Sequence, residues 1–460
     1  LEGNMKIKFK NLGPIESGEI DFNDLKGINL IIGKNNTGKT YLSNLLYSFF
    51  KIMRQIGVPL FMLSNIKSND IIDYNLLQEK CEKEIELNLK QELITTFHVH
   101  SDFFKNFEIV KVDLTNEIDK LKEENIESKI LIMLKDKNKT IITKIVNHKI
   151  IFEIKDYYEN SKNIKLEYDE TINSDFETNE VDLELLGLYS LLNKYFFDKN
   201  VRIHFFPAER SGIMLFYNQM LESQNNILRK LELTQDMNLL KKNSRYSEPL
   251  NEYIIRLNQL EEYENKDETE IYRNLVKDID IQNIIEGEII IKSNQIIYKN
   301  QEDMELNMGL VSSTVKTLAG FFLYLKYQAQ EGDIIFIDEI ELNLHPENQR
   351  KVMRLINYLS KQGLKFVIST HSPIITQEIN NMIMFEKCKH KIDDEIIEEY
   401  SIDRENYGLR QENVNVYFLN NKTIEIAEFG EDGIITDTFN EVLGEIDNLY
   451  QELLFAMEEE

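Results

Sequence analysis

From Met5 the chain alternates apolar and polar positions through Ile7 and Phe9, turns over residues 11–14, and alternates again over 18–22. A run at 28–32, apolar except for Asn29, then enters Gly33, which predicts a buried strand followed by a loop. After Thr40, residues Leu42, Leu45, Leu46, Phe49 and Phe50 recur at helical spacing, so the loop opens directly into a helix. Farther on, 76–96 reads as a charged helix, and the alternations at 129–134 and 141–154 read as a small sheet. Leu250, Ile254, Leu257 and Leu260, then Ile271, Leu275 and Ile279, predict a helical hairpin too short for a long coiled-coil arm. Residues 287–299 predict a β-hairpin turning near Ser293 and Asn294. Residues 314–327 predict a helix packed through Leu318, Phe321, Phe322 and Leu325. The apolar runs 334–337 and 366–368 end in acidic or polar residues, as buried parallel strands do when function sits at their carboxyl ends. A further run spans 414–419, and 439–457 reads as a C-terminal helix.

This order predicts an α/β fold with a mostly parallel core sheet, interrupted twice. The core comprises 5–50, a return at 201–212, and 284–460, with an α+β insertion at 51–200 and a helical-hairpin insertion at 213–283. No fixed-period repeat is visible. At 460 residues, 42% apolar and 29% charged, most of the chain is expected to fold. Lys and Arg number 53 against 80 Asp and Glu, a net charge of −27 that repels nucleic acid and anionic membranes at long range. Nucleic-acid contact therefore needs a local basic patch. Arg229, Lys230, Lys241, Lys242 and Arg245 gather modestly, but among Glu222, Glu232 and Asp236, as on a solvated helical face. Cys81 and Cys388 are too few and too far apart for a disulfide framework or a metal knuckle, which points to a reducing, cytoplasmic setting. No apolar run approaches the roughly 18 residues that span a bilayer, so no membrane association is expected.

Gly33-Lys34-Asn35-Asn36-Thr37-Gly38-Lys39-Thr40 matches G-x-x-x-x-G-K-[ST] and lies where that motif functions, after a buried strand and before a helix. Glycines let successive N–H groups face phosphate, and the helix N-terminus adds partial positive charge. Lys39 reaches the β and γ oxygens, and the Thr40 hydroxyl ligates magnesium. The cofactors implied are ATP or GTP with Mg2+. The alternative, a glycine turn with an accidental Lys-Thr, does not explain the flanking strand and helix.

The run 334–337 ends in Asp338-Glu339, placing Asp338 beside the magnesium ion and Glu339 against the attacking water. A helix N-cap with a neighbouring acid would be the plain structural alternative. Ser369-Thr370-His371-Ser372-Pro373 follows another apolar strand, so His371 should reach the same sheet edge and sense the γ-phosphate.

With these segments in view, the loop, the acidic strand followed by Ile340–Pro346, and the segment around His371 resemble the ABC-type ATPase heads of the RecF, SMC and OLD kind. The resemblance covers roughly 5–50 and 285–420. Phe206-Pro207-Ala208-Glu209-Arg210-Ser211-Gly212 is similar to segments of stand-alone ATPases in bacterial antiviral systems such as Septu, PARIS and some retrons. The resemblance implies ATP as the nucleotide, hydrolysed in a homodimer or higher even oligomer closed around it. It also implies that Ser312, Ser313 and Lys316 hold the place of the signature segment that contacts the γ-phosphate of the opposite subunit. That pentad lacks the usual glycines, and a serine N-cap would explain the serines equally. By the same resemblance Asn343 lies at the subunit interface, and His345 is either part of that interface or a structural cap. Ile340 stands where proline is usual. The Q-loop glutamine is not legible; Gln219 is a position to check.

Residues 372–460 leave no room for a TOPRIM nuclease, and no acidic nuclease triad is legible. The expectation is therefore an ATPase that senses and regulates a separate effector protein, a nuclease by preference, in antiviral defence. A RecF-like repair ATPase clamping DNA and a scaffold with little turnover are the alternatives.

Overall fold

The computed structural model describes residues 6–21, 25–55, 74–113, 126–133, 138–147, 149–156, 170–173, 201–216, 219, 246–264, 266–278, 282–430 and 433–434. The basic cluster at 229–245 and the C-terminal helix expected at 439–457 lie outside them. The chain divides into two compact units, one of residues 1–24 and 44–203, the other of 25–43 and 204–460.

In the first unit, β1 (Lys6–Leu12) and β2 (Ile15–Asp21) form an antiparallel hairpin. Its turn places Asn11 and Gly13 at positive φ. β4 (Glu108–Asp113) pairs antiparallel with β1 on its other side. The helix expected at 76–96 is α2 (Tyr74–Phe97), joined to the end of α1 (Lys39–Gln55) by Ser48–Thr96 hydroxyl contact at 2.8 Å and by the Lys51–Glu92 ion pair at 2.9 Å. The alternating segments form a separate sheet of β5 (Ile126–Met133), β6 (Asn138–Val146), β7 (Lys149–Asp156) and β8 (Glu170–Asn173), in the order β7-β6-β5-β8.

The second unit is built on β3 (Ile28–Gly33), buried along its whole length, with Asn29 its one polar side chain. It pairs in parallel with β14 (Lys365–Thr370) on one side and β15 (Val414–Asn420) on the other. β13 (Ile334–Ile337) continues the parallel set beyond β14, and β9 (Ile203–Phe206) follows β13. β16 (Thr423–Ile426) returns antiparallel on β15. The result is an α/β fold with a mostly parallel sheet, and the register pairs Ile32 with Thr370 and Ile337 with Ile368. The carboxyl ends of β3, β14 and β13 therefore meet at one edge. Asn29 is the polar exception inside β3, donating to Phe366 O at 3.0 Å and accepting from Asn415 Nδ2 at 3.2 Å, so its amide ties three strands together.

Helices α3 (Glu248–Arg256) and α4 (Glu270–Asp278) fall where periodicity placed the helical hairpin. Tyr253, Ile254, Leu257, Ile271 and Leu275 belong to the same core cluster as the sheet strands. The hairpin at 287–300 turns at Ser293 and Asn294, both at positive φ, as a tight antiparallel turn demands. α5 (Ser313–Tyr327) packs so closely on α3 that a Cβ at Gly320 would collide with the Tyr253 hydroxyl. α6 (Pro346–Lys361) and α7 (Pro373–Cys388) follow β13 and β14.

Glu378 on α7 is 1% exposed and is held by Arg350 at 2.8 Å and Arg354 at 2.7 Å from α6. Burial alone would raise its carboxyl pKa, but the hydrogen bonds from Arg350 and Arg354 outweigh burial and hold it below the ordinary value. A depressed folded pKa means this pair stabilises fully above the unfolded carboxylate value near 4.3 and is lost as pH falls through the lower folded value. Glu378→Gln should cost about 2–3 kcal/mol at neutral pH, below the 3–5 typical of fully buried pairs because both arginines keep some solvent. It should also flatten the acid limb of the stability curve. Thermal unfolding of both proteins between pH 7 and 3 checks this; parallel curves would exclude Glu378 from the acid transition.

Candidate functional site

The loop at 33–40 begins on the last residue of β3 and ends on the first turn of α1. A Cβ at Gly33 would meet Thr37 Oγ1 at 2.7 Å and Leu419 O at 3.0 Å, so the loop closes tightly only with glycine there. Asn36 and Gly38 take positive φ, at 64° and 105°, and Thr37 Oγ1 donates to Lys34 O at 2.8 Å. The first N–H groups of α1 have no intrahelical acceptor, which makes the loop an anion cradle. Lys39 is 6% exposed, with Nζ donating to Gly33 O and Lys34 O, both at 3.0 Å. Burial pulls its ammonium pKa below the ordinary value, against the opposing pull of Glu339, Glu341 and Asp338.

Thr40 Oγ1 lies 3.2 Å from Asp338 Oδ2, so the end of the loop meets the acidic end of β13 across 298 positions of sequence. A hydroxyl and a buried carboxylate at this spacing are hard oxygen donors of the kind Mg2+ takes. The buried Lys39 ammonium and the first N–H groups of α1 suit phosphate oxygens, so the residues fit both expected cofactors.

Asp338 is fixed further by the Ser369 hydroxyl, which donates to Oδ1. The same oxygen accepts the Glu339 N–H at 2.9 Å, using both halves of the hydroxyl. Glu339 sits at φ 46°, a left-handed conformation that turns the chain sharply off the strand. No described hydrogen bond engages its carboxylate.

His371 begins the turn after β14, and its N–H donates to Glu341 Oε1 at 2.8 Å while Nδ1 stands 3.0 Å from the same oxygen. Glu341 is 7% exposed and also accepts from Thr370 Oγ1 at 2.8 Å. With Nδ1 facing a carboxylate, the ring is oriented and Nε2 is the nitrogen left for other contacts.

Gly33, Asn35, Asn36, Thr37, Gly38, Lys39, Thr40, Asp338, Glu339 and His371 thus gather at one sheet edge. Among the described hydrogen bonds, none joins Ser312, Ser313 or Lys316 to this loop. Ser312 is the N-cap of α5, its Oγ accepting from Val315 N at 3.3 Å, and Ser312 and Ser313 are exposed. Thr314 Oγ1 donates to Asn343 O at 3.3 Å, and exposed Asn343, at φ 59°, donates through Nδ2 to Ser211 Oγ at 3.1 Å. His345 caps α6 by accepting from Glu347 N, which supports its structural alternative. Gln219 is exposed, with no described contact to the loop.

Ser369 and Glu341 escaped the sequence reading because neither stands out from an ordinary strand end. Arg210 escaped it too. It is 2% exposed, and its guanidinium donates to Pro207 O, Asp338 O, Glu339 O and Ile340 O. Burial lowers its pKa, opposed first by Tyr253 and then by Asp338, Glu341 and Glu339. A buried charge between Pro207 and Gly212 was the available signal.

Among the described residues no helix is long and apolar enough to cross a membrane. No curated protein matches the chain. Similar solved structures include the SMC head domain from Thermotoga maritima, at 11% identity and TM-score 0.29, covering 94% of this chain and 100% of that one. A Pyrococcus furiosus Smc head domain with an extended coiled coil, bound to the C-terminal domain of ScpA, is 12% identical at TM-score 0.31, with 96% and 98% covered. Residues 5–376, which include the loop, the acidic strand end and His371, match the AAA ATPase domain family, and the chain belongs to that family.

Proposed function

We propose that this chain binds and hydrolyses ATP in an ABC-type dimer and uses that cycle to regulate a separate effector. The observation that carries the ATPase reading is the Thr40–Asp338 contact, which joins the phosphate loop to the acidic strand end. When bound, Mg2+–ATP supplies the electrophilic γ-phosphorus and a cation that neutralises charge on the phosphoryl oxygens. Lys39 exchanges its two carbonyl acceptors for phosphate oxygens. Thr40 and Asp338 would hold the metal. Glu339, fixed through its backbone with an uncommitted carboxylate, accepts the proton of the attacking water. His371, steadied by Glu341, senses the γ-phosphate.

The dimer reading is supported by the exposure of Ser312, Ser313 and Asn343, since residues serving the same subunit's nucleotide would face its loop. The defence role rests on the resemblance of 206–212 to ATPases of antiviral systems. Acidity of −27 favours a protein effector with a basic surface over a nucleic acid. The purified chain with ATP and magnesium should release phosphate while leaving DNA and RNA intact. Nuclease activity that survives purification and vanishes in a point variant of this chain would defeat the separate-effector reading. Tight, salt-sensitive duplex binding would favour the DNA clamp instead.

A further inference from the structure

The segment 207–212 enters the site through Arg210, not through a group that could touch nucleotide. Arg210 opens the helical turn after β9, and its guanidinium spans the first bend beyond β13. Nη1 donates to Asp338 O at 2.7 Å, and Nη2 donates to Glu339 O at 2.9 Å and Ile340 O at 3.3 Å. A further bond from Nη1 to Pro207 O at 3.0 Å ties the guanidinium to its own turn. Of these three successive carbonyls, Glu339 O also accepts the Leu342 N–H at 3.0 Å, while Asp338 O and Ile340 O have no other described donor.

Every hydrogen bond Arg210 makes with this bend is to backbone. Asp338's side chain has its own anchors in Thr40 and Ser369, and Lys39 is held by the loop. Glu339 differs. Its carboxylate has no described hydrogen-bond partner, so its direction follows its backbone, which is held by the N–H bond to Ser369 Oγ and by the bonds its C=O accepts from Arg210 and from the Leu342 N–H.

We propose that Arg210 is a positioning residue for hydrolysis, whose planar fork locks the left-handed bend after β13 and so aims the Glu339 carboxylate. This rests on the reading of Glu339 as the general base. A lysine keeps the charge but offers one nitrogen with no fixed fork, and it cannot span three carbonyls in a plane.

Arg210→Lys should therefore lower kcat by on the order of 10²-fold, the loss that misplacement by about 1 Å produces. ATP affinity should stay within about twofold, because loop and metal ligands are untouched. In a Glu339→Gln background the same substitution should remove less than about twofold of the residual turnover, since it acts through the group already lost. Arg210→Gln, which retains a donor without charge, should lower kcat at least as far as Arg210→Lys, with the same split between turnover and affinity.

The measurements are phosphate release, nucleotide affinity by calorimetry, and thermal unfolding on wild type, Arg210→Lys, Arg210→Gln, Glu339→Gln and the Lys/Gln double variant. Wild-type turnover in Arg210→Lys beside a crippled Glu339→Gln would overturn the positioning role and leave the base intact. Wild-type turnover in Glu339→Gln would overturn the base and, with it, this inference. Parallel loss of affinity and turnover, full additivity in the double variant, or failure of both Arg210 variants to fold would show a general structural residue and refute the proposal.

Discussion

Lys39→Ala is expected to weaken nucleotide binding by roughly 10²- to 10⁴-fold. Hydrogen bonds to charged groups contribute about 1.5–3 kcal/mol each, and Lys39 is placed to give two to phosphate oxygens, so about 3–6 kcal/mol is lost. Nothing else in the cradle replaces it. The nearby side chains Asp338, Glu339 and Glu341 are acids, and in the alanine variant they would face the phosphates with only the magnesium ion between. The folded state should survive, because Gly33 O and Lys34 O lie at the loop and water can take the place of Nζ. Calorimetry with ATP and magnesium, with thermal unfolding as the control on folding, makes the check. Unchanged affinity in the folded variant would refute the assignment of 33–40 as a phosphate loop.

Glu339→Gln is expected to leave binding intact and slow hydrolysis by about 10²- to 10⁴-fold, the range for loss of a general base. The substitution is narrow: the bonds that hold residue 339 run from its N–H to Ser369 and from Arg210 and the Leu342 N–H to its carbonyl, and an amide side chain disturbs none of them. Phosphate release should fall while the ATP-bound dimer accumulates, which size-exclusion chromatography with ATP can follow. Hydrolysis at the wild-type rate would remove Glu339 from the chemistry.

What the sequence made legible were features whose cause is local. The β3 run, apolar but for Asn29, pointed to burial on both faces, and glycines at 33 and 38 marked the loop that follows. Ser293 and Asn294 marked a tight turn, and the 334–337 run ending in two acids marked a strand end carrying chemistry. The illegible features depend on residues distant in sequence. Arg210 reaches carbonyls 128 to 130 positions away, and no periodicity encodes which backbone a buried guanidinium will meet. Glu341 reads as one more acid after Asp338 and Glu339 until β14 brings His371 against it. The helices at 248–278 were legible as apolar faces, but a face does not name its partner, and the shared core with the sheet appears only in the packed structure. His345 reads from sequence as an interface residue or a cap, and the cap contact, from the Glu347 N–H to Nδ1, shows only in the packed structure.

The central claim is that the loop and the acidic strand end form one magnesium-dependent ATPase site, and phosphate release from ATP tests it most directly. Purified wild type, Lys39→Ala and Glu339→Gln should be assayed side by side, with magnesium and with chelator. The account predicts steady release by wild type only with magnesium, and release reduced at least about 10²-fold in both variants. Release that persists in either variant or without the metal, or none from a folded, ATP-bound wild-type chain, would contradict it.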